Sequence, residues 1–231
     1  MSLVLEPRPP VTTAVEGGGA FPVRRIFCVG RNYADHAREM GADPDKEPPF
    51  FFTAWAEMIA ADGDEIAYPP ATQNYHFEAE LVVAIGKGGR DIAVSHAMDH
   101  VFGYACGLDM TRRDLQTEAK KQGRPWDVAK NVEQSKPLGP IRRADGFDPA
   151  RGRIALSLNG ETRQEASLSD MIWPVADVIA CLSRFYRIEP GDLIYTGTPA
   201  GVGAVRPGDT VQVEIEGLPS LTVTIGGPAK D

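Results

Sequence analysis

Apolar residues along this chain fall mostly in short runs or strict alternation, with turn residues recurring between them. RRIFCVG (24–30) reads as a short buried strand. LVVAIG (81–86) is apolar without a break, the pattern of a strand covered on both faces. PFFFTAWAEMI (49–59) is apolar and aromatic and reads as extended, after a loop over DPDKEPP (43–49). RIALSLNGETRQEA (153–166) alternates on both sides of Asn159-Gly160, the strongest short-range hairpin signal. Pro190-Gly191 and Pro207-Gly208 each favour a type II turn leading into a β-rich run.

Helical spacing appears in fewer places. YADHAREMG (33–41) is expected to be a helix capped by Asn32 and stopped by Gly41, and SHAMDHVFG (95–103) a short one capped by Ser95. In TRRDLQTEAKKQG (111–123), Thr111 and Asp114 form the expected capping box, Lys120 and Lys121 lie in the last turn, and Gly123 ends it. SDMIWPVADVIACLSRFYRI (169–188) should be a helix packed on the core, with Pro174 near its first turn. Residues 1–22 lack periodicity beyond a possible strand at Ser2 to Leu5 and are expected to form a loosely packed arm, leaving 23–231 as the main domain. Strands outnumber helices in irregular order, which predicts a β-rich α+β fold.

Composition narrows the function classes. At 231 residues, 42% hydrophobic and 24% charged, the chain can build one substantial core. A net charge of −8 leaves no basic stripe for nucleic acid. The apolar runs are far shorter than the ~20 residues a membrane helix requires. No basic, then apolar, leader opens the sequence, so no secretory signal is expected. Cys28, Cys106 and Cys181 are widely spaced and form no CxxC, which reads as buried reduced thiols and a cytoplasmic protein.

The chemistry centres on acids. Glu78 and Glu80 sit at the mouth of the apolar strand, and side chains at i and i+2 share a strand face. Like charges that close beside a core call for a cation between them. Asp109 ends another apolar run, and three carboxylates without cysteine suit Mg²⁺, Mn²⁺ or Ca²⁺ over zinc. The alternative is an exposed Glu-x-Glu on a solvated face, and spacing alone leaves both open. His76 is either a fourth ligand or a support for the carboxylates.

His36 and Glu39 share a helix face, as a general base and its orienting acid do; a surface ion pair is the plainer reading. Arg113 and Gln116 are again i and i+3 and could hold a substrate carboxylate and carbonyl. Lys130 follows an apolar pair, against the usual exposed lysine. YTGTPAGVG (195–203) resembles a phosphate loop but leads into a strand; its N–H groups and the Thr196 and Thr198 hydroxyls better suit a carboxylate.

In this order, GRNYADHAREM, YHFEAELVVAIG, GYACGLDMTRRDLQ, WDVAKN, NGETRQ and IYTGTPAGVG resemble the fumarylacetoacetate hydrolase family, and most of all its short members that cleave acylpyruvates and fumarylpyruvate. The resemblance runs from about Arg25 to Ile225. It implies a mixed β-roll with short helices, a mobile lid helix near the N-terminus (about 32–48) and a homodimer. It implies Mg²⁺ or Mn²⁺ on Glu78, Glu80 and Asp109. Catalytic roles fall on His36, Glu39 and Lys130, and substrate contacts on Arg113, Gln116 and Thr198. The implied reaction is hydrolysis of the C–C bond of a 2,4-diketo acid. The alternatives are an oxaloacetate decarboxylase or tautomerase using the same metal, and a non-catalytic metal-dependent binder. One departure stands out: relatives carry Lys-Pro after the aromatic run, where this chain has Ala54 and Trp55. That change removes a substrate-facing cation. It argues against the usual diacid substrate, hands the cation's role to Arg113 or Lys130, or turns Trp55 toward an apolar acyl tail.

Overall fold

The computed structural model describes residues 3–41 and 48–229. Its spine is the strand Ala79–Ile85, every residue of it buried. That strand pairs antiparallel with Val101–Leu108 on one side and with Asp192–Tyr195 on the other. Arg25–Val29 extends the sheet parallel to Asp192–Tyr195, and Phe51–Ala54 closes that edge. Lys136–Leu138 and Ile59–Ala61 complete the opposite side. A five-stranded sheet runs in the order Glu161–Ser167, Arg153–Leu158, Thr210–Ile215, Leu221–Pro228, Glu65–Tyr68. The β-rich α+β expectation holds.

The unbroken apolar run at 81–85 exists because both faces of the strand are covered. Leu81, Val83 and Ile85 enter the larger core with Ile154, Leu156, Val211 and Val213 of the second sheet. Val82 and Ala84 enter a second core with Ile26, Cys28, Leu193 and Tyr195. Gly107, opposite Glu80, permits this packing: a Cβ there would lie 2.4 Å from Val82 Cγ2 and 2.9 Å from Tyr195 Cε1.

The hairpin forms where expected, with φ of 53° at Asn159 and 82° at Gly160, the two positive values that a type I′ turn needs. Gly191 and Gly208, at φ 93° and 94°, supply the left-handed residue of the two Pro-Gly turns. The helix Val175–Phe185 starts after Pro174 and buries Val175, Val178, Ile179 and Leu182 at helical spacing.

Several local expectations fail for identifiable reasons. Residues 3–5 form no strand and are exposed, Ser2 lying outside the described residues. The stretch expected as a loose arm instead contains a hairpin, Thr12–Ala14 with Ala20–Pro22, which buries Val15 and Phe21 in the second core. Asn32 does not cap the helix Ala34–Glu39. Its amide donates to Trp173 O and Thr196 O and accepts from Trp173 N, so it ties three segments together. Ser95 caps nothing, because the turn at Val94–His100 is a 3-10 helix that begins before it. Thr111 and Asp114 form no capping box, since the helix Arg113–Gln122 starts after Thr111. Asp114 instead accepts from Thr72 Oγ1 and Gln73 N. A 3-10 turn at Ala56–Met58 interrupts the run expected as extended. Most of the 43–49 loop and the end of the lid region at 42–47 lie outside the described residues.

Candidate active site

Register brings the acids together. Ala79 and Leu108 are the last paired residues of their antiparallel ladder, and Asp109 N donates to Glu78 O just beyond them at 2.9 Å. Glu78 and Asp109 therefore flank the same ladder end, and Glu80 lies one strand repeat inward. Each of the three offers a carboxylate oxygen within 4.8 Å of the others, and all are buried. Burial pushes Glu80 well above the usual carboxylate range, and Asp109 and Glu78 add to the shift. Burial acts on Glu78 in the same sense, but Lys130 and Arg113 outweigh it and hold that carboxyl low.

Cations ring the cluster. Lys130 Nζ lies 2.7 Å from Glu78 Oε2, 2.8 Å from Asp109 Oδ2 and 2.6 Å from Thr111 Oγ1. Arg113 donates to Glu78 Oε1 and, at 2.6 Å, to Gln116 Oε1. Lys136, fully buried, places Nζ 2.7 Å from Asp109 Oδ1, an oxygen that accepts no well-directed hydrogen bond, and donates to Lys130 O at 2.7 Å. Lys130 is raised above its ordinary value: burial opposes this, and Asp109 and Glu78 prevail. Three buried, hard oxygen donors, one of them only loosely satisfied, fit a Mg²⁺- or Mn²⁺-type ion.

His36 enters the same pocket from the helix Ala34–Glu39. Its Nδ1 lies 3.1 Å from Glu39 Oε2, and Glu39 Oε1 accepts from Gly201 N at 3.3 Å, so the pair is docked on the 195–203 loop. Burial lowers the imidazole's pKa, with Glu78 and Glu39 pulling the other way, so the ring stays neutral at pH 7. Thr198 also faces the pocket, its hydroxyl held by Gln164 Nε2 at 2.9 Å. All nine residues picked out in the sequence converge here. Eight line the pocket, and Glu39 backs His36.

Other expectations shift. His76 accepts from Arg113 Nε at 3.4 Å and bonds Asn74, so it supports the arginine and not the acids; burial and Arg113 lower it to about 4. Thr196 donates to Leu81 O, and Gly197 N–H holds Glu80 Oε2 at 2.7 Å, so that loop grips the protein's own backbone and carboxylate. Trp55 is 61% exposed and does not line the pocket; Phe52 and Trp126 do. Ala54 is buried in the second core.

Three participants carried no clear sequence signal. Lys136 sits in an unremarkable Ser-Lys-Pro. Gln164 lies in a polar strand, yet is 1% exposed and bonds Ala79 N, Thr198 Oγ1 and Pro199 O. Lys120, placed by the sequence only in the last turn of its helix, lines the pocket; its spacing from Arg113 and Gln116, seven and four residues back, is a faint pointer that local rules gave no weight.

The fold and the site together define a β-rich enzyme built around a carboxylate-held divalent metal. The chain belongs to the fumarylacetoacetate hydrolase family: residues 25–226 match the model described as fumarylacetoacetate (FAA) hydrolase C-terminal. A fumarylpyruvate hydrolase from Ralstonia sp is 46% identical over 189 residues, 81% of this chain and 98% of its own. The crystal structure of fumarylpyruvate hydrolase from Pseudomonas aeruginosa in complex with Mn²⁺ and pyruvate superposes with a TM-score of 0.95 at 48% identity, covering 97% of this chain and 99% of that one. The human mitochondrial oxaloacetate tautomerase FAHD1 is 42% identical over 206 residues, 89% of this chain and 93% of its own.

Proposed function

We propose that this protein hydrolyses 2,4-diketo acids, cleaving an acylpyruvate into pyruvate and a carboxylic acid with Mg²⁺ or Mn²⁺ on Glu78, Glu80 and Asp109. The observation that carries this reading is the buried His36, oriented by the more exposed Glu39, in the same pocket as the acid cluster. When bound, the divalent ion supplies Lewis-acid polarisation of the keto acid and charge to stabilise the enolate leaving group.

The chain's own residues do the rest. Glu39 occupies His36 Nδ1 and leaves Nε2 to take a proton from water. The water oxygen bonds to C4, the C3–C4 bond breaks, and its electron pair stays with the pyruvate fragment as an enolate. The proton held by His36 then passes to C3, completing pyruvate. Arg113 and Gln116 orient the keto-acid end, Lys130 balances the developing negative charge, and Thr198 positions a carboxylate. Closure of the helix that carries His36 would restrict the reaction to one placed water. We assign the protein to the cytoplasm on its three unpaired cysteines, and a homodimer on the family resemblance. Among the described residues no helix is long and apolar enough to cross a membrane.

The test is hydrolysis of acetylpyruvate and fumarylpyruvate with Mg²⁺ or Mn²⁺, before and after EDTA. Turnover should vanish with EDTA and in Glu80→Ala; activity that survives EDTA overturns the reading. The identity to oxaloacetate tautomerases favours a second reading, enol–keto conversion of oxaloacetate. That reaction needs no water nucleophile, so oxaloacetate assayed alongside, in the wild type and in His36→Ala, separates the two.

A further inference from the structure

Lys120 is a pocket cation that the hydrolytic chemistry leaves unused. Arg113 and Lys130 already face carboxylates. Lys120 faces none among the described residues; its ammonium sits 5.1 Å over the Trp126 ring, a contact that fixes it without neutralising it. Burial lowers its pKa to about 8, with Arg113 and Arg31 adding to the shift and Glu78 opposing it.

Charge and distance point the same way. Four cations, Arg31, Arg113, Lys120 and Lys130, line the pocket against the three acids Glu78, Glu80 and Asp109. A divalent ion adds two more positive charges, and a substrate with two carboxylates offsets more of that excess than one with a single carboxylate. Arg113, Gln116 and Lys120 share one helix face, and Lys120 lies seven residues beyond Arg113, about 10 Å along the axis. Arg113 and Lys120 both lean back toward the helix N-terminus, so their head groups keep about that spacing, and the flexible four-carbon stem of the lysine can close the remainder. The two carboxylates of a seven-carbon diketo diacid are six bonds apart, the length of two extended residues or about 7 Å. Phe52 and Trp126, edge to face at 5.6 Å, give the pocket an apolar side.

We propose that Lys120 is the specificity residue that receives the far carboxylate of a diacid acylpyruvate, so that this enzyme is selective for acyl groups ending in an acid, such as fumaryl, over apolar acyl tails. This rests on the hydrolase reading above. It also assigns the role expected of the lysine that Ala54 replaces.

The experiment compares the wild type, Lys120→Met and Lys120→Arg, each loaded with Mn²⁺, on fumarylpyruvate and acetylpyruvate. The ratio of kcat/KM for the diacid over the monoacid should fall about 10- to 100-fold in Lys120→Met, the worth of one hydrogen bond to a charged group. The loss should appear mainly in KM, and Lys120→Arg should recover most of it. An equal loss on both substrates, or none on either, overturns the proposal while leaving the hydrolase reading intact. Turnover of neither substrate by the wild type overturns the hydrolase reading instead. Calorimetric titration with 2-oxoadipate and 2-oxohexanoate, six-carbon keto acids differing in one terminal carboxylate, tests Lys120 without turnover. The wild type should prefer the diacid and Lys120→Met should not; equal wild-type affinities overturn the proposal.

Discussion

Replacing Glu80 by glutamine should make the metal-free protein more stable and the metal-loaded protein less so. Glutamine keeps the shape of the side chain, and its carbonyl oxygen can still accept from Gly197 N–H. What it removes is a buried charge within 4.8 Å of two others. At an effective dielectric of about 20, each such like-charged pair costs about 3.5 kcal/mol, and Lys130 offsets one of the two. Protonation sets a ceiling. At pH 7, giving Glu80 a proton costs about 3.4 kcal/mol relative to an ordinary value of 4.5. The variant should therefore gain up to about 3 kcal/mol in EDTA at pH 7.

The sign follows from the raised folded-state pKa. Any stability tied to neutral Glu80 is fully present below pH 4.5 and is lost as pH rises toward the folded value. The gain from Glu80→Gln should therefore vanish near pH 4.5 and grow above it. Mn²⁺ at a hundredfold over its Kd should add about 2.7 kcal/mol to the wild type and little to the variant. The assay is urea unfolding of both proteins across pH, with EDTA and with Mn²⁺. A variant less stable than wild type in EDTA, or one that keeps the full Mn²⁺ stabilisation, would refute the electrostatic argument for the site.

His36→Ala should cut acylpyruvate hydrolysis by about 10²-fold or more while leaving Mn²⁺ affinity by calorimetry unchanged; parent-like turnover would place the base elsewhere. Because burial lowers the His36 pKa, the acidic limb of kcat/KM should lie below pH 6.5, and Glu39→Gln, which removes the carboxylate charge that raises it, should move the limb lower still. A limb that moves up would contradict this. Gln164→Leu strands Ala79 N–H and Pro199 O in the core, at about 1–3 kcal/mol each, and should lower Tm by roughly 5–15 °C in scanning calorimetry. A shift below about 2 °C would show that water or a neighbour replaces those bonds.

The site was legible wherever residue type and spacing constrain geometry together. Glu78-x-Glu80 before an unbroken apolar run pointed to a strand end at the core, with an exposed Glu-x-Glu as the alternative, and helical periodicity put His36 and Glu39 on one face. The motif order then identified the family. What failed was reading polar residues by local rules. Asn32, Thr111 and Asp114 all had good capping chemistry, and each was drawn to a partner far away in sequence: Trp173 for Asn32, Lys130 for Thr111, Thr72 for Asp114. A short-range rule cannot weigh a tertiary hydrogen bond in a dry interior, where such a bond outweighs a solvent-exposed cap. Lys120 and Lys136 were hidden for the opposite reason. Lysine is so commonly solvated that only the surrounding structure shows which ammonium groups turn inward.

The same reasoning explains how a marginally stable protein holds three acids together. A slip of one residue between 79–85 and 101–108 would turn Glu80 toward the larger core and separate it from Asp109. It would also move Leu81, Val83 and Ile85 out of one packed interior and Val82 out of the other. Each exchanged side chain would meet a space shaped for another, at about 1–3 kcal/mol per misfit, and four such misfits outweigh the ~3 kcal/mol that Glu80 costs without metal. Hydrophobic packing on both faces of one strand therefore enforces the convergence of charge, and the divalent ion need only occupy a site whose geometry is already set. Lys130 and Lys136 hold the acids in the meantime, and as Lys130 O accepts from Lys136 Nζ, the two lysines are positioned as a unit.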